Sequence, residues 1–189
     1  MQLKIATPAG WIDCVLQDFD AFLLDHAACE RKASGTAMNL VSHYPDRREL
    51  VVTMIELAQE ELSHFASVHE RIAERGLTLA PDTKDPYVGR LSREFRQGSG
   101  AYFLDRLLIG GIVEARGCER FGIVAEALPQ GPMKDFYRDI TSSEARHRGL
   151  FLRLARVYFP EEEVASRLEE LLVTEARLIA ELPLRPAVH

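Results

Sequence analysis

Residues 50–72 read LVVTMIELAQEELSHFASVHERI, and Leu50, Met54, Leu57, Phe65, Val68 and Ile72 recur along them at helical intervals. Steps of three and four put apolar side chains on one face of an α-helix, whereas a strand would need strict alternation. Two residues break this stripe. Glu61 and His64 stand where it predicts apolar side chains.

The same pattern extends to both sides. All nine prolines (8, 45, 81, 86, 129, 132, 160, 183 and 186) fall at the edges of long proline-free windows. Proline inside a helix costs about 3 kcal/mol, so those windows are where helices can run. Each window carries an apolar stripe, for example Val15, Phe19, Phe22, Leu23 and Ala27 in the first and Val164, Leu168, Leu171 and Leu178 in the last. The reading is all-α, with helices over 9–43, 46–75, 100–128, 132–158 and 160–182 in a single domain, 1–189. Pro160 followed by Glu161, Glu162 and Glu163 marks a helix start, with anions at the positive end of the dipole. The join over 76–99, with Pro81, Pro86, Gly89 and Gly98, is longer than the others. One long crossover among short joins is the connectivity of a ferritin-like four-helix bundle, here with an additional C-terminal helix.

Composition narrows the class. At 189 residues, 47% hydrophobic and 28% charged, the chain reads as a soluble globular domain, which excludes disorder, collagen and a disulfide scaffold. The longest stretch free of acidic and basic residues, Ala33 to Pro45, holds Ser34, Gly35, Asn39 and His43, so no membrane span is expected. Asp13 interrupts any leader-like run, and Cys14, Cys29 and Cys118 are odd in number and scattered. A reduced, cytoplasmic protein is expected. The net charge of −6 is uneven: residues 1–85 carry 8 basic and 14 acidic groups, and residues 86–159 carry 12 and 8. Only the middle suits a polyanion.

Four glutamates and two histidines interrupt the core stripes: Glu30, Glu61, Glu114, Glu144, His64 and His147. Ionised carboxylates in an apolar interior cost several kcal/mol each unless compensated, and cations are the simplest compensation. In Glu-x-x-His the two side chains share a helix face, so both can reach one metal. With 19 Glu and 6 His in 189 residues, chance supplies roughly 0.6 such motifs; this chain has two, Glu61/His64 and Glu144/His147. The first half maps onto the second by shifts of 84, 83 and 83 residues for Glu, Glu and His. Two related hairpins would bring all six to mid-bundle as a dinuclear site. Four carboxylates and two imidazoles favour iron or manganese over structural zinc.

The segments DHAACERKASGTA (Asp25 to Ala37), ELAQEELSHF (Glu56 to Phe65), GGIVEARGCERF (Gly110 to Phe121) and TSSEARHRGLF (Thr141 to Phe151) resemble those of the tRNA 2-methylthio-isopentenyl-adenosine hydroxylases, over nearly the whole chain. The resemblance implies a non-haem di-iron monooxygenase. It would hydroxylate the isopentenyl side chain of the modified adenosine beside the anticodon, with two iron ions, O2, and electrons from an external reductase or ferredoxin. Its implied ligands are Glu30, Glu61, His64, Glu114, Glu144 and His147. Related di-iron hydroxylases often carry Asp before the Glu of the second motif, where this chain has Ser143, with Glu60 at the matching position of the first. Glu60, Ser143 and His26, one turn before Glu30, are therefore the candidates for orienting the ligands.

Other features carry two readings each. Gly110, Gly111, Gly117 and Gly122 leave either a pocket beside Glu114 or close helix packing. Cys118 reads as core lining. Arg90, Arg93, Arg96, Arg146 and Arg153 are candidate phosphate contacts for a tRNA anticodon arm, and Tyr87, Tyr102 and Tyr137 could stack a base. An electron-transfer protein is the second expected partner, with neither DNA nor membrane. The rival readings are a ferritin-like ferroxidase or peroxide scavenger, and a metal-free helical interaction module.

Overall fold

Seven helices and one 3-10 turn make up the computed structural model, which describes residues 1–189 apart from the side chain of Arg148; no strand occurs among the described residues. The helices are α1 (Gly10–Gln17), α2 (Phe19–His43), α3 (Arg48–Glu74), α4 (Pro86–Leu91), α5 (Ser99–Ala127), α6 (Pro132–Tyr158) and α7 (Glu161–Glu181). The chain divides into two compact units. One comprises Cys14–Thr83 with Arg185–Val188; the other comprises Met1–Asp13, Lys84–Leu184 and His189.

The first unit is built on the α2/α3 hairpin. The expected single helix over 9–43 is broken at Asp18, whose carboxylate accepts from the Ala21 N–H at 3.1 Å and so caps α2. A residue that satisfies a free N–H of the first turn starts a new helix instead of continuing the old one. Phe22, Leu23, Ala27, Ala37 and Leu40 of α2 and Leu50, Met54, Leu57, Val68 and Ile72 of α3 are buried, as the stripe required. Ser34 Oγ donates to the Ala58 carbonyl at 2.9 Å, pinning the two helices at mid-length. The end of α3 is set by Gly76, at φ 72°: its N–H donates to Ala73 O and the Leu77 N–H to Ile72 O, at 2.9 and 3.1 Å. Those two bonds form a Schellman stop, and the left-handed conformation it needs suits glycine.

The second unit holds the α5/α6 hairpin together with α4 and α7. The crossover contains α4, a helix the sequence reading did not place: Asp85 accepts from the Tyr87 and Val88 N–H groups, and Pro86 takes the first turn. Gly110 and Gly111 have their reason in packing. A Cβ on Gly110 would stand 3.0 Å from the Phe151 ring of α6, and one on Gly111 would stand 3.2 Å from Phe151 Cβ. These two glycines accommodate an aromatic ring and leave no pocket there. At the α5/α6 turn, buried Lys134 donates to the Glu126 and Leu128 carbonyls, both at 3.0 Å, satisfying acceptors that the end of α5 leaves open. Buried Asp105 of α5 accepts from the Arg96 backbone N–H and from the guanidinium groups of Arg96 and Arg167, which ties the crossover and α7 to α5.

Candidate metal centre

Each hairpin carries one set of the predicted ligands. In the first unit, α2 supplies Glu30 and α3 supplies Glu61 and His64, all three buried. One ligand atom from each lies within 4.8 Å of the others. His64 Nδ1 is 3.8 Å from Glu30 Oε2 and 3.6 Å from Glu61 Oε2. These distances exceed a hydrogen bond and suit donors arranged around a shared ion. His26, fully buried one turn before Glu30, sets its Nε2 2.6 Å from Glu30 Oε1. That contact holds one carboxylate oxygen and leaves the other toward His64.

In the second unit, α5 supplies half-buried Glu114, and α6 supplies Glu144 and His147, both buried. This set also has a ligand atom from each residue within 4.8 Å of the others. His147 Nδ1 is 3.3 Å from Glu144 Oε2. Each trio pairs two carboxylates with one imidazole, carries two negative charges when the histidine is neutral, and contains no lysine or arginine. Such a set in an apolar interior fits a divalent cation that accepts oxygen and nitrogen donors, and the buried Glu and His residues are consistent with a metal centre. Cys118 is buried on α5, and its Sγ donates to the Thr141 carbonyl at 3.8 Å.

The remaining candidates are placed as follows. Glu60 is half-buried on α3. Ser143 is buried, and its hydroxyl accepts from Arg146 Nη2 at 3.0 Å. Of the five arginines, Arg93, Arg146 and Arg153 are exposed. Arg90 lies 3.4 Å from the Glu181 carboxylate, and Arg96 is engaged by Asp105.

A second buried polar cluster escaped the sequence reading. Fully buried Tyr87 donates its hydroxyl to Glu175 Oε1 at 3.0 Å, and Arg116 Nε donates to the same oxygen at 2.8 Å. Arg116 also reaches Thr7 Oγ1, Glu119 and the Ile5 carbonyl, while Arg120 lies over the Trp11 ring at 4.9 Å. Burial, with Glu175 adding to it, pushes the Tyr87 hydroxyl well above its usual range. Burial first, then the Arg116 charge, lowers Arg120 to about 10. The available signal was Glu175 among Leu171, Leu172 and Leu178, the same interruption that marks the metal ligands; its partner is an arginine.

The family model described as tRNA-(MS[2]IO[6]A)-hydroxylase (MiaE) matches residues 1–189. The chain belongs to this family. A MiaE-family relative from Pseudomonas putida, named tRNA 2-(methylsulfanyl)-N(6)-isopentenyladenosine(37) hydroxylase, is 36% identical over 177 residues, covering 94% of this chain and 86% of the relative. The protein of the same name from Salmonella typhimurium is 31% identical over 170 residues, covering 87% of this chain and 62% of that protein. Among solved structures, "Protein 43 with aldehyde deformylating oxygenase activity from Synechococcus" matches with a TM-score of 0.93 at 35% identity, covering 98% of this chain and 92% of that one. The fold class is all-α and ferritin-like.

Proposed function

We propose that this MiaE-family chain is an O2-dependent di-iron hydroxylase of tRNA, acting on the isopentenyl side chain of 2-methylthio-isopentenyl-adenosine next to the anticodon. The observation that carries the reading is the pair of Glu/Glu/His trios, one per hairpin and buried apart from half-buried Glu114, in a chain whose whole length matches the family. We assign Glu30, Glu61 and His64 with Glu114, Glu144 and His147 to hold two iron ions, the two units serving as one ferritin-like domain in the cytoplasm. Iron bound there would supply the electrons that activate O2 for insertion into a C–H bond, and an external electron-transfer protein would restore them.

The chain's own residues do the rest. The four carboxylates offset the charge of two divalent ions. The His26 contact engages one oxygen of Glu30, and the other lies 3.8 Å from His64 Nδ1. Leu57 and Val68, one turn before Glu61 and one turn after His64, and Phe151, one turn after His147, are buried apolar neighbours in sequence of the assigned ligands. Exposed Arg93, Arg146 and Arg153 are the side chains we assign to tRNA phosphates, while Arg90 and Arg96 hold Glu181 and Asp105.

The test is mass spectrometry of nucleosides from isopentenylated tRNA incubated with iron-loaded protein, a reductant and O2. A gain of one oxygen on the modified adenosine is expected, and Glu61→Ala should abolish it. Rapid Fe(II) oxidation with no gain would make the protein a ferroxidase. The Synechococcus neighbour motivates a parallel arm with an aldehyde; loss of the formyl carbon there, without tRNA product, would move the assignment to that activity.

A further inference from the structure

The outward face of α3 has a composition that core packing does not explain. Val52, Ile55 and Leu62 are 50%, 40% and 52% exposed, and with exposed Gln59 and Ala66 they follow steps of three and four along the helix. This is a two-residue-per-heptad seam, the geometry with which a helix meets a partner. Beside it, at steps of seven, run Glu49, Glu56, Ser63 and Glu70, all exposed. Glu49, Glu56 and Glu70 make no ion pair among the described residues. Of the two cations on α3, Arg71 is paired with Glu74, and Arg48 stands at the first turn, at one end of the seam.

Charge decides the occupant. A polyanion such as tRNA is repelled by the glutamate row, in a segment, residues 1–85, that carries six more acidic than basic groups. A second copy of α3 would bring the same row against itself, which opposes pairing. A cationic rim around an apolar centre matches both parts of the surface. Position supplies the role: Glu61 and His64 project from the inward side of this helix, and one helix diameter, about 10 to 12 Å with side chains, separates the two faces.

We propose that the outward face of α3 docks an electron-carrying protein whose contact surface is an apolar centre ringed by lysine or arginine. The electron-carrying part rests on the hydroxylase reading above; the surface chemistry stands without it.

Cytochrome c, a redox protein with lysines around an exposed haem edge, is the probe, titrated against the full chain and followed by haem NMR shifts. Saturable binding at low salt is expected, weakening steeply as salt is raised. Glu49→Lys with Glu56→Lys should lower affinity about tenfold or more, and Val52→Ser with Ile55→Ser several-fold, both with parental helicity. Equal affinity for the parent and both variants overturns the proposal. So does a parent that sediments as a dimer while Val52→Ser with Ile55→Ser is monomeric, which would give the face to a second copy. Preferential binding of flavodoxin, an acidic carrier, would overturn the charge assignment. Hydroxylation driven by dithionite should be equal in the parent and both variants. Its absence from the parent would sink the hydroxylase reading and leave the titration to judge the surface.

Discussion

Glu175 and Glu61 show how one residue type in one setting takes two roles. Both interrupt an apolar stripe and both are buried, but Glu175 faces Arg116 and Tyr87, whereas Glu61 faces His64. Their substitutions should therefore move stability in opposite directions. Glu175→Ala leaves the Arg116 guanidinium buried with only Glu119 as its anion, and should cost about 3 kcal/mol in urea unfolding, toward the low end for a broken buried pair. Glu61→Gln removes one of two clustered carboxylates, so metal-free protein should melt no lower than the parent. Anaerobic Fe(II) should raise the parent's melting temperature, since a ligand at a hundred times its Kd stabilises by about 2.7 kcal/mol, and raise the variant's less. A parent unmoved by Fe(II), Mn(II) or Co(II) would remove the metal from the account. Which glutamate meets an arginine and which a histidine depends on neighbours distant in the chain. Glu175 and Arg116 are 59 residues apart, so periodicity could mark the position and not the partner.

At the scale of the helix, the contrast lies among glycines. Gly35 sits inside α2 with nothing within 4 Å of where a Cβ would stand, while Gly110 sits inside α5 with the Phe151 ring at 3.0 Å. Gly35→Ala should stabilise by about 0.5 to 1 kcal/mol through helix propensity alone. Gly110→Ala should gain nothing or lose stability, because the ring must move. Chemical denaturation of the two single variants decides this, and a comparable gain from both would show that Phe151 yields. The long helices were legible because stripe spacing and proline placement are local properties. Gly110 was ambiguous because a ring 41 residues away sets its environment. The break at Asp18 was missed because the apolar pattern runs through it, and one side-chain bond to the Ala21 N–H outweighs that pattern locally. α4 was missed for the opposite reason: at six residues it is too short to show a stripe, and its Asp-Pro start carries the only local signal.

For the whole molecule, the pH response follows from its buried anchors. Burial alone would raise the Asp105 carboxyl, but hydrogen bonds from Arg167 and Arg96 outweigh it and hold the group below the usual carboxylate range. A carboxyl with a depressed folded-state pKa contributes its stability above its unfolded value, about 3.9, and loses it as pH falls through the folded one. Acid should thus loosen the links from α5 to the crossover and α7 below about pH 4. Asp105→Asn should flatten that part of the stability profile, as followed by circular dichroism in urea at several pH values; an unchanged slope would assign acid sensitivity to other carboxylates. The family was legible because the ligand spacing and its flanking segments sit in the linear sequence. The distribution of arginines between scaffold and surface was not, since Arg96 and Arg93 are alike in sequence and differ only in that Asp105 captures one of them.

Lys134 gives the α5/α6 turn a reporter of its own. Its ammonium is committed to two carbonyls and is nearly inaccessible, so an amine-reactive label can reach it only when the turn lets go. The labelling rate of that one lysine, read by peptide mapping, is then a clock for local opening of the hairpin that carries Glu114, Glu144 and His147.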